Sequence, residues 1–270
     1  MLIHKIMNTL LFIANITCYL IAILGIFCFV KGKISRNCIK VGVFFAWSAV
    51  ILHAWMLSQD LVSQGGINIG AANAFSLTIL ATLMIILPNI RKHPDISIVL
   101  FILAIISLVL SESYDSQLTL NSARPILSLH IVLSIIAYAV LMVVGVQAAL
   151  IVLRHSYLKK PTGYFLNHLP PLMSMEKWLF QLMAIGAVLL ALSLLTAVSF
   201  IDNWFDKQFI HRSILSIVSL IIFITLLALH HFKGLRGKPA AKYALIAFVV
   251  LLVGVSGSRV VQELLLNRTS

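Results

Sequence analysis

Apolar runs recur along the whole chain, each about 20 residues long, the length a helix needs to cross a bilayer, and short polar segments separate them. The pattern predicts eight spans: Met7–Val30, Ile39–Gln59, Ile67–Ile90, Ile96–Ser111, Leu127–Leu153, Trp178–Phe200, Ser213–Phe232 and Tyr243–Leu266. The fourth is the shortest. Pro88, near the end of the third, is expected to kink or stop it, because proline lacks the N–H and clashes with the preceding turn. The runs are continuously apolar rather than alternating, which excludes a transmembrane β-barrel. The expected fold is therefore all-α: a polytopic transmembrane helical bundle forming a single integral membrane domain over residues 1–270.

The fifth run, Leu127–Arg154, stands out. It is apolar along most of its length, yet it opens with His130 and carries Ser134 and Tyr138 at i+4 and i+8. That spacing puts all three on one helix face. An imidazole on such a face is costly to keep in lipid and belongs in the protein interior or a cavity. It serves there either as an inter-helix hydrogen bonder or as a ligand.

Composition adds little to this but changes the reading of the charge. The chain is 61% hydrophobic and 10% charged, with a formal net charge of +12. In a soluble protein that charge would suggest nucleic acid. Here the cations gather in alternate loops, at Lys31 to Lys40, Arg91 and Lys92, Arg154 to Lys177, and Lys233 to Lys242. They read as topology signals that place these loops in the cytoplasm and both termini outside. Most of the 8 acids fall on the opposite side, including Glu112, Asp115, Asp202 and Asp206. The N-terminus reads as an uncleaved first span. The cysteines Cys18, Cys28 and Cys38 form no CxxC or CxxCH motif, so no thioredoxin-type pair and no covalent c-haem attachment site is present.

Candidate chemistry sits on the outer side. His53, in the apolar run AVILHAWML, lies seven residues before Asp60, roughly 10 Å below the end of its span at 1.5 Å per residue. A neutral histidine there needs a partner and is a good axial ligand for haem iron. His130 and His211 are the other outer histidines. His93, His155, His168, His230 and His231 lie at the cytoplasmic face among lysines and arginines and read as solvated. The outer segment Phe200–Arg212, FIDNWFDKQFIHR, with Trp204 at its centre, reads as an interfacial aromatic anchor or a platform for a flat cofactor. Arg259, in the outer half of the last span, needs a counter-charge or a carboxylate of a ligand. No nucleophile–base pair, zinc spacing, phosphate-binding loop or dinucleotide fingerprint occurs, and nothing points to an enzyme.

The segments LHIVLSIIAYAVLMVVGVQAALIVL, LPPLMSMEKWLFQLMAIGAVLLALSLLTAV and LHHFKGLRGKPAAKYALIAFVVLLVGVSGSRVVQELL resemble the cytochrome c assembly (CcsA/CcmC haem-handling) family, and the similarity runs over roughly residues 40–266. The resemblance implies a multi-pass bacterial inner-membrane protein that holds haem b, non-covalently, near the outer leaflet with histidine ligands. Other cytochrome c maturation proteins or an apocytochrome would be its partners. It implies that His130 matches the outer histidine and His53 the histidine buried in an earlier span. Two departures are plain. The family's loop WGxxWxWDPKE is replaced by Phe200–Arg212, where only Trp204 and Asp206–Lys207 match. The second outer histidine, after the last span, is absent from QELLLNRTS, and His211 stands on the same side instead. The alternative reading is a transport accessory or structural membrane protein on the same scaffold that binds no haem.

Overall fold

The computed structural model describes residues 2–30, 36–63, 66–68, 70–113, 119–120, 125–157, 171–198 and 207–254. These form eight helices: α1 (Leu2–Val30), α2 (Arg36–Leu61), α3 (Ala71–Ile86), α4 (Pro94–Ser113), α5 (Pro125–Tyr157), α6 (Leu172–Val198), α7 (Lys207–Lys233) and α8 (Gly237–Leu252). Three short strands, β1 (Val62–Ser63), β2 (Gly66–Asn68) and β3 (Thr119–Leu120), make a small antiparallel sheet in the order β1-β2-β3. The sheet is a minor addition to the expected all-α architecture. Seven helices, α1 to α7, are long and apolar enough to cross a membrane, and α8 is described over 16 residues.

The boundaries of the third and fourth spans have identifiable causes. The third span does not start at Ile67, because Ile67 pairs with Val62 and Leu120 in the sheet. The helix begins after Gly70, whose extended backbone (φ −63°, ψ 170°) lets its carbonyl accept from Ala74 N–H at 2.9 Å. Pro88 acts as predicted: α3 stops at Ile86 and the proline sits in the 3-10 turn Leu87–Asn89. The fourth span is longer than it reads, since Pro94 takes the first helical position, where its missing N–H costs nothing.

The helices gather into two units. In the first, residues 1–121 with 167–169, α1 packs on α2 and α4, and α3 packs on α2 and α4, closing a four-helix ring. Lipid is as apolar as leucine, so helix association here depends on close packing and internal hydrogen bonds rather than on the hydrophobic effect. The crossing of α1 and α2 shows this. A Cβ added to Gly25 would meet Gly42 Cα at 2.8 Å and the Cys38 carbonyl at 3.0 Å. Only glycine lets the two backbones approach so far. Leu24, Phe44, Ile51 and Trp55 face outward, as lipid-contacting side chains do.

In the second unit, residues 122–166 with 170–270, the ring is α5–α6–α7–α8. Helix α5 is its core: 72% of its most apolar stretch is buried, against 44% for α6 and 22% for α7. The sequence explains this, since the middle of α5 is apolar all round and has no face to give to water. Leu141, Val143, Val144 and Ile151 are fully buried. Small residues admit neighbours: a Cβ at Gly145 would overlap the Phe248 ring, and one at Gly186 would press on Leu141. Gln147 Nε2 donates to the Met175 carbonyl at 3.1 Å, tying α5 to α6, and Ser219 Oγ donates to the Ala247 carbonyl at 2.8 Å, tying α7 to α8.

Candidate functional site

His130 lies in the second turn of α5, opposite the last turns of α6. Its Nδ1 donates to the Ser193 carbonyl at 2.9 Å, and Thr196 Oγ1 lies 3.2 Å from the same nitrogen. A carbonyl can only accept, so Nδ1 carries the proton, and in the neutral ring Nε2 carries the lone pair. Ser134 Oγ, one turn on, is 3.3 Å from Nε2. Ser134 Oγ also donates to the His130 carbonyl at 2.7 Å and lies 2.7 Å from Ser193 Oγ, so the two serines bind α5 and α6 beside the ring. The imidazole is thus held in one orientation by α6 while remaining half-buried, and Leu129, Val132 and Leu195 beside it are exposed. A metal-ligating histidine is held in this manner: a carbonyl on one nitrogen fixes the tautomer and the other nitrogen presents its lone pair.

His53 sits in a different environment, in the first unit, and is fully buried. Tyr19 Oη of α1 is 3.0 Å from Nδ1 and Ser76 Oγ of α3 is 2.7 Å from Nε2. A neutral ring has one N–H and one lone pair, and both are used whichever tautomer is present. Tyr19 also leans on Phe101 of α4, with ring centroids 5.6 Å apart, so all four helices of the unit meet at this point. Asn15 joins it. With its amide nitrogen turned to the Ala49 carbonyl (3.0 Å), its oxygen accepts from the His53 backbone N–H at 3.2 Å. Beside the ring, space of about 10 Å³, enough for one water, is lined by residues that include Ser76, Ser111, Asp60 and Glu112. A cofactor pocket needs several hundred Å³. Iron reaches His53 only if a hydrogen bond and the surrounding helices give way.

His211 is in the first turns of α7, but its side chain, and all of Trp204 and Arg259, lie outside the described residues. Among the described residues no group of three or more His, Cys, Asp or Glu is arranged to hold a metal ion. Residues that the sequence did not single out complete both sites: Asn15 and Tyr19, i and i+4 on α1, and Ser193 with Thr196 on α6. Of the histidines expected to be solvated, His155 has its Nε2 buried, and His230 is covered as well. Its ring stacks on Phe180 at 3.6 Å and its Nδ1 donates to the Leu235 carbonyl at 2.8 Å. His93, just before α4, is held below its ordinary pKa by burial and by the charge of Lys92.

Membrane-length helices in closed four-helix rings, with two buried or half-buried imidazoles fixed by hydroxyls and a carbonyl, define a multi-pass membrane protein with polar sites inside an apolar frame. The chain belongs to the cytochrome c assembly protein family, whose pattern matches residues 37–266. It is 30% identical over 243 residues to the inner membrane protein YpjD of Escherichia coli K12, covering 87% of this chain and 92% of that one, and it matches the YpjD of strain O157:H7 to the same extent. An uncharacterised 28.8 kDa protein of Azospirillum brasilense is 30% identical over 145 residues, 52% of this chain and 53% of that one. No solved structure matches. The chain is a multi-pass protein of the bacterial inner membrane.

Proposed function

We propose that this protein handles haem for cytochrome c maturation, holding haem b on the outer side of the membrane with His130 as an iron ligand. The observation that carries the reading is the Ser193 carbonyl on His130 Nδ1, which leaves Nε2 as the lone-pair nitrogen of a ring fixed in direction. The donor set fits the group: a neutral imidazole at a helix end, beside the exposed apolar side chains Leu129, Val132 and Leu195 against which a porphyrin can lie. When bound, haem supplies an iron with axial positions and a one-electron couple tuned by those ligands. The chain's own residues do the rest. Ser193 and Thr196 orient the imidazole, and Ser134 sits against its other nitrogen. His53, in the first unit, is a separate candidate ligand, one that must first give up its bond to Ser76. His211 stands in for the missing outer histidine, Trp204 covers the porphyrin face and Arg259 meets a propionate. Both termini and the α2–α3 and α4–α5 connections face the outside, as the loop charge indicates. The haem-free scaffold is the second reading, favoured by the engagement of both His53 nitrogens.

A visible spectrum with a pyridine haemochrome assay on the full-length protein, purified in mild detergent and supplied with haemin, decides between them. The proposal expects a Soret band that is lost in His130→Ala and red-shifted or weakened in Thr196→Val. A preparation that stays colourless with added haemin defeats the proposal and leaves the scaffold reading.

A further inference from the structure

Four helices of the second unit share one end, where α5 and α7 finish and α6 and α8 begin. The turn from α7 to α8 is built tightly. Gly234 (φ 65°) and Gly237 (φ 75°) take left-handed conformations that side chains with a Cβ rarely adopt. Leu235 N–H returns to the Leu229 carbonyl at 3.2 Å, and the stacked His230 ring holds the Leu235 carbonyl. This fixed turn displays Lys233 and Arg236, and Lys238 and Lys242 follow one helical turn apart on α8; all four are exposed. Lys238 Nζ donates to Ser156 Oγ of α5 at 3.2 Å, which brings the group beside Arg154 and His155.

Glu176 is the one carboxylate of this unit among the described residues; its Oε1 would lie 3.8 Å from a Cβ on Gly237. His155 Nε2, 3.9 Å from the same point, is buried and makes no hydrogen bond. Around the cations stand exposed aromatic side chains, Phe232 at 82% and Tyr243 at 52% exposure. Phenylalanine so exposed at the end of a membrane helix favours an acyl boundary over bulk water, and tyrosine prefers the headgroup layer. A soluble acidic partner would use the charges and leave Phe232 unexplained.

We propose that this end of the second unit binds an anionic phospholipid, with the headgroup phosphate on Lys233, Arg236 and Lys238 and the acyl chains beside Phe232. Basic clusters between helix ends at the headgroup level recognise lipids in this way. The site is independent of haem binding and of His130.

The test is lipid retention by the full-length protein, read by native mass spectrometry from detergent containing equal phosphatidylglycerol and phosphatidylcholine. Retained phosphatidylglycerol should exceed phosphatidylcholine by about tenfold or more. It should fall to the phosphatidylcholine level in Lys233→Gln/Arg236→Gln/Lys238→Gln, and be unchanged in Lys40→Gln on the first unit. The single Lys238→Gln variant, expected to lose part of the excess, covers a triple variant whose melting temperature shows it to be misfolded. Equal retention of the two lipids by the wild type overturns the proposal, as does an excess that survives the triple substitution. Tight binding of soluble polyglutamate without lipid preference also overturns it and assigns the surface to an acidic protein segment.

Discussion

Alanine at position 25 tests whether α1 and α2 approach as closely as described. The added methyl would lie 2.8 Å from Gly42 Cα and 3.0 Å from the Cys38 carbonyl. Non-bonded carbons rest at about 3.5–4.0 Å, so the two helices must part by about 1 Å. Both obstacles are backbone, so no rotamer change relieves them. Overpacking of this kind costs about 1–3 kcal/mol, and the upper part of that range applies where backbone must move. Alanine returns up to about 1 kcal/mol through its better helix propensity. Gly25→Ala is therefore expected to destabilise by about 1–2 kcal/mol. In Gly42→Ala the nearest atom is Ile26 N at 3.2 Å, a misfit of a few tenths of an ångström, so propensity and strain nearly cancel and the net change is about zero. Leu24→Ala, on the lipid face, serves as the control. Reversible unfolding in mixed micelles titrated with sodium dodecyl sulfate, followed by circular dichroism, gives the order. A Gly25→Ala protein as stable as the wild type, or more stable than Gly42→Ala, would refute the reasoning.

Tyr19→Phe keeps the ring on Phe101 but removes the partner of His53 Nδ1; a loss of about 1 kcal/mol is expected in the same assay, near the size of inter-helix hydrogen bonds in membranes. His230→Ala should lower the melting temperature by releasing Phe180 and the Leu235 carbonyl, while leaving any His130-dependent Soret band in place. His93 resists protonation in the folded protein, whereas unfolded histidine takes up a proton near its ordinary pKa of 6.5. Stability is therefore fully present above that value and declines as pH falls from about 6.5 towards the lower folded value. Unfolding measured across this window should show that slope, and His93→Gln should flatten it.

The spans were legible because length and continuous apolarity mark a membrane helix without reference to its neighbours. So was the pairing of His130 with Ser134, since four residues on a helix make one face. What sequence could not supply was the partner across a helix boundary. Ser193 and Thr196 read as two small polar residues in an apolar run, yet they set the His130 tautomer. Tyr19 and Ser76 are 34 and 23 residues from His53, and each is unremarkable on its own helix. The start of the third span was misplaced because Ile67 is as apolar as a helix residue and takes strand pairing instead, a contact made with residues on both sides of α3 and α4. His230 read as solvated because its neighbours are charged; the Phe180 face that covers it comes from α6.

The seat of Phe248 against Gly145 carries a consequence for descent as well as for packing. Neither position can change alone: a lineage that acquires a side chain at 145 must trim or turn the ring at 248, and one that trims the ring first leaves a void inviting a methyl at 145. Such a pair evolves in lock-step, and the two columns of a future family comparison should vary together even though 103 positions of chain separate them.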